Sequence, residues 1–559
     1  MTAPSETTAW WRHAVIYQVY PRSFADSDGD GMGDLPGITS RLPYVRDLGV
    51  DGVWISPCYR SPQVDAGYDV ADYQDIDPIF GTLADADELI RVAHELGLRV
   101  IVDVVPNHTS DEHRWFVQAL QSPPGSQARD RYIFRDGTGP GGDRPPNNWP
   151  SVFGGEAWTR VTEADGTPGQ WYLHLFHAKQ PDLNWQNPHV RNDFHDILRF
   201  WLDRGVDGFR VDVAHGLVKA DGLPDYASGL ELLASTDEDA DRAPMWDQDE
   251  VHEIYRGWRQ VLDGYDGDRM LVAEAWVDPP RLARYVRQDE LHQAFNFGFL
   301  TARWDADTLR TVIRASLEAN RAVGAPATWV LSSHDAVRHA TRLALPPVPG
   351  GPVNPDGLTA EDPRPDQATG LARARAATTL MLALPGSAYL YQGEELGLPD
   401  HTSIPPEYRQ DPAFHRSNGE QTGRDGCRVP MPWQADAPGL GFGPSGKTWL
   451  PQPDSYRMLA VDRQDGVPGS TLEMYRELLR LRRVYRLGDG TLSCADPAQV
   501  QLRASAHDVL VVCNGPVTVV VNFGPDRVPL PAEARVLVAS DPGVHTGHAV
   551  DTDQACWIG

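Results

Sequence analysis

Along most of the chain, a short apolar run rich in β-branched residues precedes a stretch with apolar positions every three or four residues. "HAVIYQVY" (His13 to Tyr20) reads as a strand. The segment from Leu35 to Gly49 places Ile38, Leu42, Val45 and Leu48 at helical spacing and stops at a glycine. "GVDGVWIS" predicts a second strand ending at Ser56, followed by a helix from near Asp85 with Glu88 as its capping partner. "LRVIVDVV" is a third strand, apolar on both faces as a helix-covered parallel strand requires. The repeat then stops between Asn107 and Asn187, a gap of roughly 80 residues that is too long for a strand-to-helix loop and predicts an inserted domain. It resumes with Val190, Phe194, Ile197, Leu198, Trp201 and Leu202 on one helix face, then a strand in "GVDGFRVDVAHG". Further strands are predicted at Arg269 to Trp276, Ala294 to Phe299, Ala327 to Asp335 and Ser387 to Glu395. Eight such units predict an α/β fold, a (β/α)₈ barrel. Beyond Leu487 the pattern changes to alternating strands without helices, which predicts an antiparallel β domain. The resulting division is a barrel over 1–107 and 178–487, an insert over 108–177 and a C-terminal domain over 488–559.

The polar positions that interrupt these strands carry the chemistry. Arg210 and Asp212 lie two apart, so on a strand they share one face. The third strand ends in Asp103, Asn107 and His108, the fifth in Glu274 and the seventh in His334 and Asp335. Barrel enzymes build their active sites at these C-terminal strand ends. A lone Arg–Asp pair reads equally well as a structural tie; acids on three strands, each at the same end, favour a site. A carboxylate nucleophile and a protonated acid about 5 Å apart are what retaining glycoside cleavage needs. Asp212 beside Arg210 suits the ionised nucleophile, and Glu274, among apolar sequence neighbours, suits the protonated acid.

"DVVPNH" (Asp103 to His108), "GFRVDVAH" (Gly208 to His215), "VAEAW" and "SSHD" (Ser332 to Asp335) resemble the four signature regions of glycoside hydrolase family 13, the α-amylase superfamily. "AVIYQVYPRSFADSDGDGMGDLPGI" and "YLHLFHAKQPDLNW" are similar to its α-glucosidase and oligo-1,6-glucosidase branch. The resemblance spans nearly the whole chain. It implies a barrel domain, an inserted domain after the third strand and a C-terminal β-sandwich. It implies Asp212 as nucleophile, Glu274 as acid/base and Asp335 as transition-state stabiliser, with Arg210, His108 and His334 around the reacting sugar. Tyr68 and Asp69, in "DAGYDV", match the family's pair that grips the non-reducing end, and Arg424 matches the arginine that pairs with that Asp in exo-acting members. Ser333 departs from the asparagine frequent before the histidine, which touches a supporting hydrogen bond and not the catalytic acid. Phe153 and Phe176 in the insert are candidates for walls of the sugar site, with core packing the alternative. His13, His94, His174, Trp10, Trp11 and Cys58 read as ordinary structural residues.

"DSDGDGMGD" sets Asp26, Asp28, Asp30 and Asp34 among glycines, and with the Met32 carbonyl they can wrap a hard cation. Gly37 stands at the twelfth position, where an EF-hand needs Glu, and a strand precedes the loop, so this is not an EF-hand. The resemblance implies a structural Ca²⁺ here, with Mg²⁺ the alternative; no organic cofactor is implied.

Composition narrows the partners. The 559 residues carry a formal net charge of −28, which repels nucleic acid and anionic membranes and accommodates a neutral or cationic substrate more easily; the resemblance implies a small α-glucoside. No secretory leader or membrane span is legible, and the five scattered cysteines form no CxxC pair, so the expectation is a cytoplasmic protein. Leading is a retaining, exo-acting α-glucosidase with α-1,4 bonds favoured. Alternatives are an oligo-1,6-glucosidase, for which Val213 speaks, a transglucosidase or sucrose- or trehalose-rearranging isomerase, and a silent binding subunit. The last is disfavoured because all three acids are present.

Overall fold

The computed structural model describes residues 9–163, 165–226, 243–346, 357–358 and 362–559. Its central sheet contains eight parallel strands: β1 (Val15–Val19), β2 (Gly52–Ile55), β3 (Arg99–Val104), β4 (Gly208–Val211), β5 (Met270–Ala273), β6 (Gln293–Ala294), β7 (Thr328–Val330) and β8 (Ser387–Tyr391). They are hydrogen-bonded in the order β6–β5–β4–β3–β2–β1–β8–β7. No ladder joins β6 to β7; one bond, from Asn296 N to Thr328 O at 3.0 Å, spans that seam. The sequence pattern predicts a strand over Ala294–Phe299, but Phe297–Leu300 is a helical turn. The cause is local: the Asn296 side chain accepts from Phe299 N at 3.0 Å and turns the chain out of the sheet.

Helices α1 (Leu35–Leu48), α2 (Leu83–Glu95), α3 (Pro188–Asp203), α4 (Val251–Leu262), α5 (Pro279–Tyr285), α6 (Ala306–Val323), α7 (Gln367–Met381) and α8 (Thr471–Val484) follow the strands in turn. On α1 the buried Ile38, Leu42, Val45 and Leu48 form the inward stripe, each contributing about 1.5–3 kcal/mol by leaving water. α2 starts earlier than its pattern predicts. Thr82 is the N-cap and Asp85 closes a capping box with it, while Glu88 instead pairs with Arg91 on the surface.

Side chains alternate along the strands, so Ile16, Trp54, Ile101, Met270, Val272, Val330 and Tyr389 pack together in one cluster that fills the barrel. Gly208 makes room for this filling, because a Cβ there would lie 2.8 Å from the Met270 sulfur and 2.5 Å from its carbonyl oxygen. The interior is apolar at the N-terminal ends of the strands and becomes polar toward their C-terminal ends.

Between β3 and α3 lie a short helix, Arg114–Leu120, and a three-stranded antiparallel sheet of Phe134–Arg135, Trp158–Thr162 and Pro168–Leu173. Buried Asp182 ties this segment to the barrel. It accepts from Leu175 N at 2.9 Å and pairs with Lys219 Nζ, beyond β4, at 2.8 Å. After α8 an antiparallel sheet forms from β9 (Leu492–Ala495), β10 (Val509–Asn514), β11 (Val517–Asn522), β12 (Val536–Ala539) and β13 (Gln554–Ile558), in the order β9–β10–β11–β13–β12. It packs on α7, where the Trp557 indole donates to Thr379 O at 2.7 Å. Among the described residues, no helix is long and apolar enough to cross a membrane.

Past β8 the chain buries two adjacent glutamates. Glu395 accepts from Tyr17 and Tyr44 at 2.8 and 2.7 Å, and Glu394 accepts from Tyr391 N at 3.0 Å. Burial pushes Glu394 from 4.5 up to about 8. A folded pKa above the unfolded one makes its contribution to stability complete below about pH 4.5 and progressively lost as pH rises toward 8. Glu394→Gln is therefore expected to remove this part of the alkaline loss, raising stability at pH 8.5 by roughly 1–3 kcal/mol with little change at pH 5. Urea unfolding at the two pH values checks it; equal effects at both would rule the explanation out.

Candidate active site

β4 presents Arg210 and then Asp212 to the mouth of the barrel, and the chain around them is buried. The guanidinium is 2 % exposed. Its Nη1 donates to Asp212 Oδ1 at 2.6 Å and to Asp103 Oδ1 at 2.8 Å, and its Nη2 lies 2.9 Å from Glu274 Oε2. β3, β4 and β5 are adjacent in the sheet, with Asp103 opposite Arg210 and Arg210 opposite Val272. Register thus brings the three acids round one cation. Trp54 and Tyr68 cover the guanidinium, with ring centroids 5.2 and 5.7 Å away.

The sequence reading assigns Asp212 a depressed pKa on account of Arg210. The structure reverses the direction. Burial pushes Asp212 well up, and the neighbouring Glu274, Asp103 and Asp335 reinforce it against the pull of Arg210. Loss of water is the first cause, and one arginine shared among three carboxylates does not offset it. Glu274 also differs from its expected setting. Its carboxylate meets polar partners: Arg210, Val213 N at 3.0 Å and the Trp276 indole at 3.1 Å. Val213 reaches it by adopting φ +44°, a rare left-handed conformation for a β-branched residue. Gly216 leaves room for this turn, since a Cβ there would meet Val213 Cγ1 at 2.7 Å and Trp246 Cζ3 at 2.8 Å.

Asp335 occupies the opposite side. Its Oδ1 accepts from Arg424 and from Arg428, each at 3.0 Å, and its Oδ2 lies 3.0 Å from His334 Nε2. Burial alone would raise Asp335, but His334, Arg424 and Arg428 outweigh it and hold the carboxyl well below the usual range. His334 is fully buried and stacks on Tyr68, with ring centroids 5.2 Å apart. Burial lowers its pKa far enough to keep it neutral. With Gln18 Nε2 donating to His334 Nδ1 at 2.7 Å, the proton falls on Nε2, toward Asp335. Ser333, where the family often has asparagine, accepts from Asp335 N at 3.2 Å.

The pairing of Asp69 with Arg424 is not formed. Asp69 is fully buried and accepts from Val64 N and Asp65 N at 2.8 and 2.9 Å, capping its own loop. Arg424 pairs instead with Asp65 at 2.9 Å, Asp335 at 3.0 Å and Asp411 at 2.6 Å. Asp65, Asp411 and Arg428 are thus site residues that the sequence reading misses. In "DAGYDV" both acids flank the tyrosine, and only the turn, with Ala66 at φ +52° and Gly67 at φ +105°, decides which one faces the cleft. Burial is outweighed by Arg424 and Arg428 at Asp411, which is drawn down to about 2.

These groups surround a cleft of about 340 Å³ lined by Asp65, Tyr68, His108, Asp212, Glu274, Asp335 and Arg424 and walled by Phe153, Phe176 and Trp276. His108 is buried, with its pKa lowered by burial to about 4; its Nε2 lies 3.1 Å from both Tyr68 O and Gln180 Nε2. The aromatic walls are linked: Phe153 and Phe176 are 5.7 Å apart, and Arg424 lies 5.5 Å from the Phe153 centroid. Every candidate catalytic and sugar-contacting residue except Asp69 is thus in or against this cleft.

In the acidic loop, Asp26, Asp28 and Asp34 bring carboxylate oxygens within 4.8 Å of one another. Asp30 is not in that group; its Oδ1 accepts from Met32 N at 2.7 Å. Burial, with added repulsion from Asp30 and Asp28, raises Asp26. An all-oxygen set of this kind fits a hard divalent cation.

A barrel whose strand ends gather these carboxylates and one buried arginine round a sugar-sized, aromatic-walled cleft defines an enzyme of glycosidic bonds. Residues 18–490 match the family described as alpha amylase, catalytic domain, and the chain belongs to that family, glycoside hydrolase family 13. It is similar to a probable α-glucosidase of Rhizobium meliloti (strain 1021), 40% identical over 85% of this chain and 82% of the relative. It is also similar to an oligo-1,6-glucosidase of Parageobacillus thermoglucosidasius, 36% identical over 85% and 84%. Among solved structures, an α-glucosyl transfer enzyme superposes with a TM-score of 0.82 at 35% identity, covering 99% of both chains. The enzyme is a glycoside hydrolase of the α-glucosidase type.

Gly216→Ala is expected to displace Val213 and with it the amide on Glu274, lowering kcat by roughly tenfold or more with a smaller change in KM. Steady-state kinetics with a chromogenic α-glucoside check this; an unchanged kcat would exclude the Val213 contact as a positioning device.

Proposed function

We propose that the enzyme is a retaining, exo-acting α-glucosidase that releases α-glucose from the non-reducing end of short α-glucosides, preferring α-1,4 bonds. The observation that carries this reading is the Arg210 guanidinium in contact with both Asp212 and Glu274, at 2.6 and 2.9 Å. Two carboxyl groups held by one guanidinium favour the short separation of a retaining pair over the wider inverting one. Asp212 attacks the anomeric carbon in its ionised form, which Arg210 favours, while Glu274 gives its proton to the leaving oxygen; Glu274 then takes a proton from the water that releases glucose. Positive charge that develops on the ring is opposed by Asp335, which His334, Arg424 and Arg428 keep ionised. Asp65 with Arg424 closes the far end of the cleft, taking the gripping role that the resemblance implies for Asp69. That closed end favours removal of single units over internal cuts.

Transfer to a second sugar is the other reading that an observation favours. Trp276 stacks on Phe297 with centroids 3.8 Å apart and lines the cleft beside Glu274, a flat surface for an acceptor ring. Val213, also in the cleft wall, is compatible with α-1,6 bonds. A cytoplasmic setting suits the five unpaired cysteines. We also propose that Asp26, Asp28 and Asp34, with Asp30 and the Met32 carbonyl, hold a structural Ca²⁺.

Maltose, isomaltose and sucrose, supplied separately and followed by NMR, test the reaction. The expected first product is α-glucose from maltose, lost by roughly 1,000-fold or more in Asp212→Asn. β-Glucose as the first product would overturn the retaining reading, and new disaccharides without free glucose would move the assignment to transfer. Asp65→Ala is expected to lower kcat/KM for maltose roughly 10–100-fold while Asp69→Ala acts through stability. Chelation of Ca²⁺ is expected to lower Tm with calcium restoring it; an unchanged Tm would remove the metal proposal.

A further inference from the structure

A second cavity lies at the opposite end of the barrel from the catalytic cleft. Its volume is about 460 Å³, within the range of small-molecule sites. Arg12 lies just before β1 and Ala327 just before β7, so the cavity opens at the N-terminal ends of the strands. The end of α6 and the segment from Arg486 to Leu492, which leads into β9, complete its wall.

Its charge is unlike that of the molecule. The whole chain carries −28, yet Arg12, Arg321 and Arg486 line this one cavity with Asp489 as the single acid among the described residues. Two of the arginines are partly engaged: Arg12 donates to Gly324 O at 3.0 Å, and Arg486 donates to Asp489 at 3.2 Å. Arg321, on the last turn of α6, has no ion-pair or side-chain hydrogen-bond partner among the described residues. An arginine left without a partner beside two others, in a protein rich in acids, is a place where a small anion gains charge-assisted hydrogen bonds. Asn320, Thr491 and Asp489 add an amide, a hydroxyl and a carboxylate suited to ligand hydroxyl groups. Among the described residues no aromatic side chain lines the cavity, which offers a nucleobase no ring to stack on.

We propose that this cavity binds a phosphorylated monosaccharide, its phosphate held by Arg321 with Arg12 and Arg486, and its hydroxyls by Asn320, Thr491 and Asp489. The site is distinct from the catalytic cleft and does not depend on which glucoside the enzyme cleaves.

Isothermal titration of the full-length enzyme with glucose 6-phosphate, inorganic phosphate and glucose, at 20 mM and 200 mM NaCl, tests it. The expected result is saturable binding of glucose 6-phosphate that weakens at the higher salt, with phosphate weaker and glucose not competing. Arg321→Ala, which removes no ion pair or side-chain hydrogen bond among the described residues, is expected to weaken that binding roughly tenfold or more while leaving Tm and glucosidase activity unchanged. Phosphate binding as tightly as the sugar phosphate would reduce the site to a phosphate site and overturn the sugar part. Binding unaffected by Arg321→Ala, or displaced by glucose, would place the ligand in the catalytic cleft and overturn the proposal. No saturable binding of either phosphate compound would overturn it as well.

Discussion

Arg210 is buried in the middle of a strand, where an unpaired charge would cost several kcal/mol. What makes it tolerable is the set of acids brought to it by its own strand and the two beside it: Asp103 from β3, Asp212 just past β4 and Glu274 just past β5. The same contacts make it chemically useful. A cation that must be paired fixes the positions of the acids that pair it, so the electrostatic need of the fold and the geometry of the reaction are met by one arrangement. Trp54 beneath and Tyr68 beside the guanidinium keep water from weakening these bonds.

The second half of the site repeats this logic with the signs reversed. Asp335 is the shared acid, and His334, Arg424 and Arg428 converge on it. Arg424 also bonds Asp65 and Asp411, so loops that follow β2, β7 and β8 are locked through one side chain. The two halves therefore differ in electrostatic setting. Asp212 is buried beside further acids that share its one arginine, whereas Asp335 accepts from two arginines, Arg424 and Arg428.

The Arg-lined cavity at the other end of the barrel shows charge placement where one acid, Asp489, faces three arginines among the described residues. Arg486 pairs with that acid, while Arg321 has no ion-pair partner among the described residues at this junction of barrel and C-terminal sheet. The contrast with Arg210, matched on every side, is one of partners and not of residue type.

The strand–helix repeat, the interrupted third unit and the polar residues at strand ends were legible in the sequence because each rests on a local period or on a spacing of two along a strand. So were Asp212, Glu274 and Asp335, which stand in ordered motifs. The sixth strand was misread because "AFNFGF" has a strand's composition, while the cap formed by Asn296 depends on its own side chain turning back to Phe299. The choice of Asp65 over Asp69 was equally hidden: both acids flank one tyrosine, and the positive-φ turn at Ala66 and Gly67 sends only Asp65 toward Arg424. The direction of Asp212's pKa depended first on burial and then on the acids that share Arg210, both set by strands far apart in the chain. The sequence by itself determined the order of elements and which acids stand at the strand ends, because these follow from near-neighbour patterns. Tertiary structure alone decided which charges meet, since burial and Coulomb interaction depend on distance in space, not on separation along the chain.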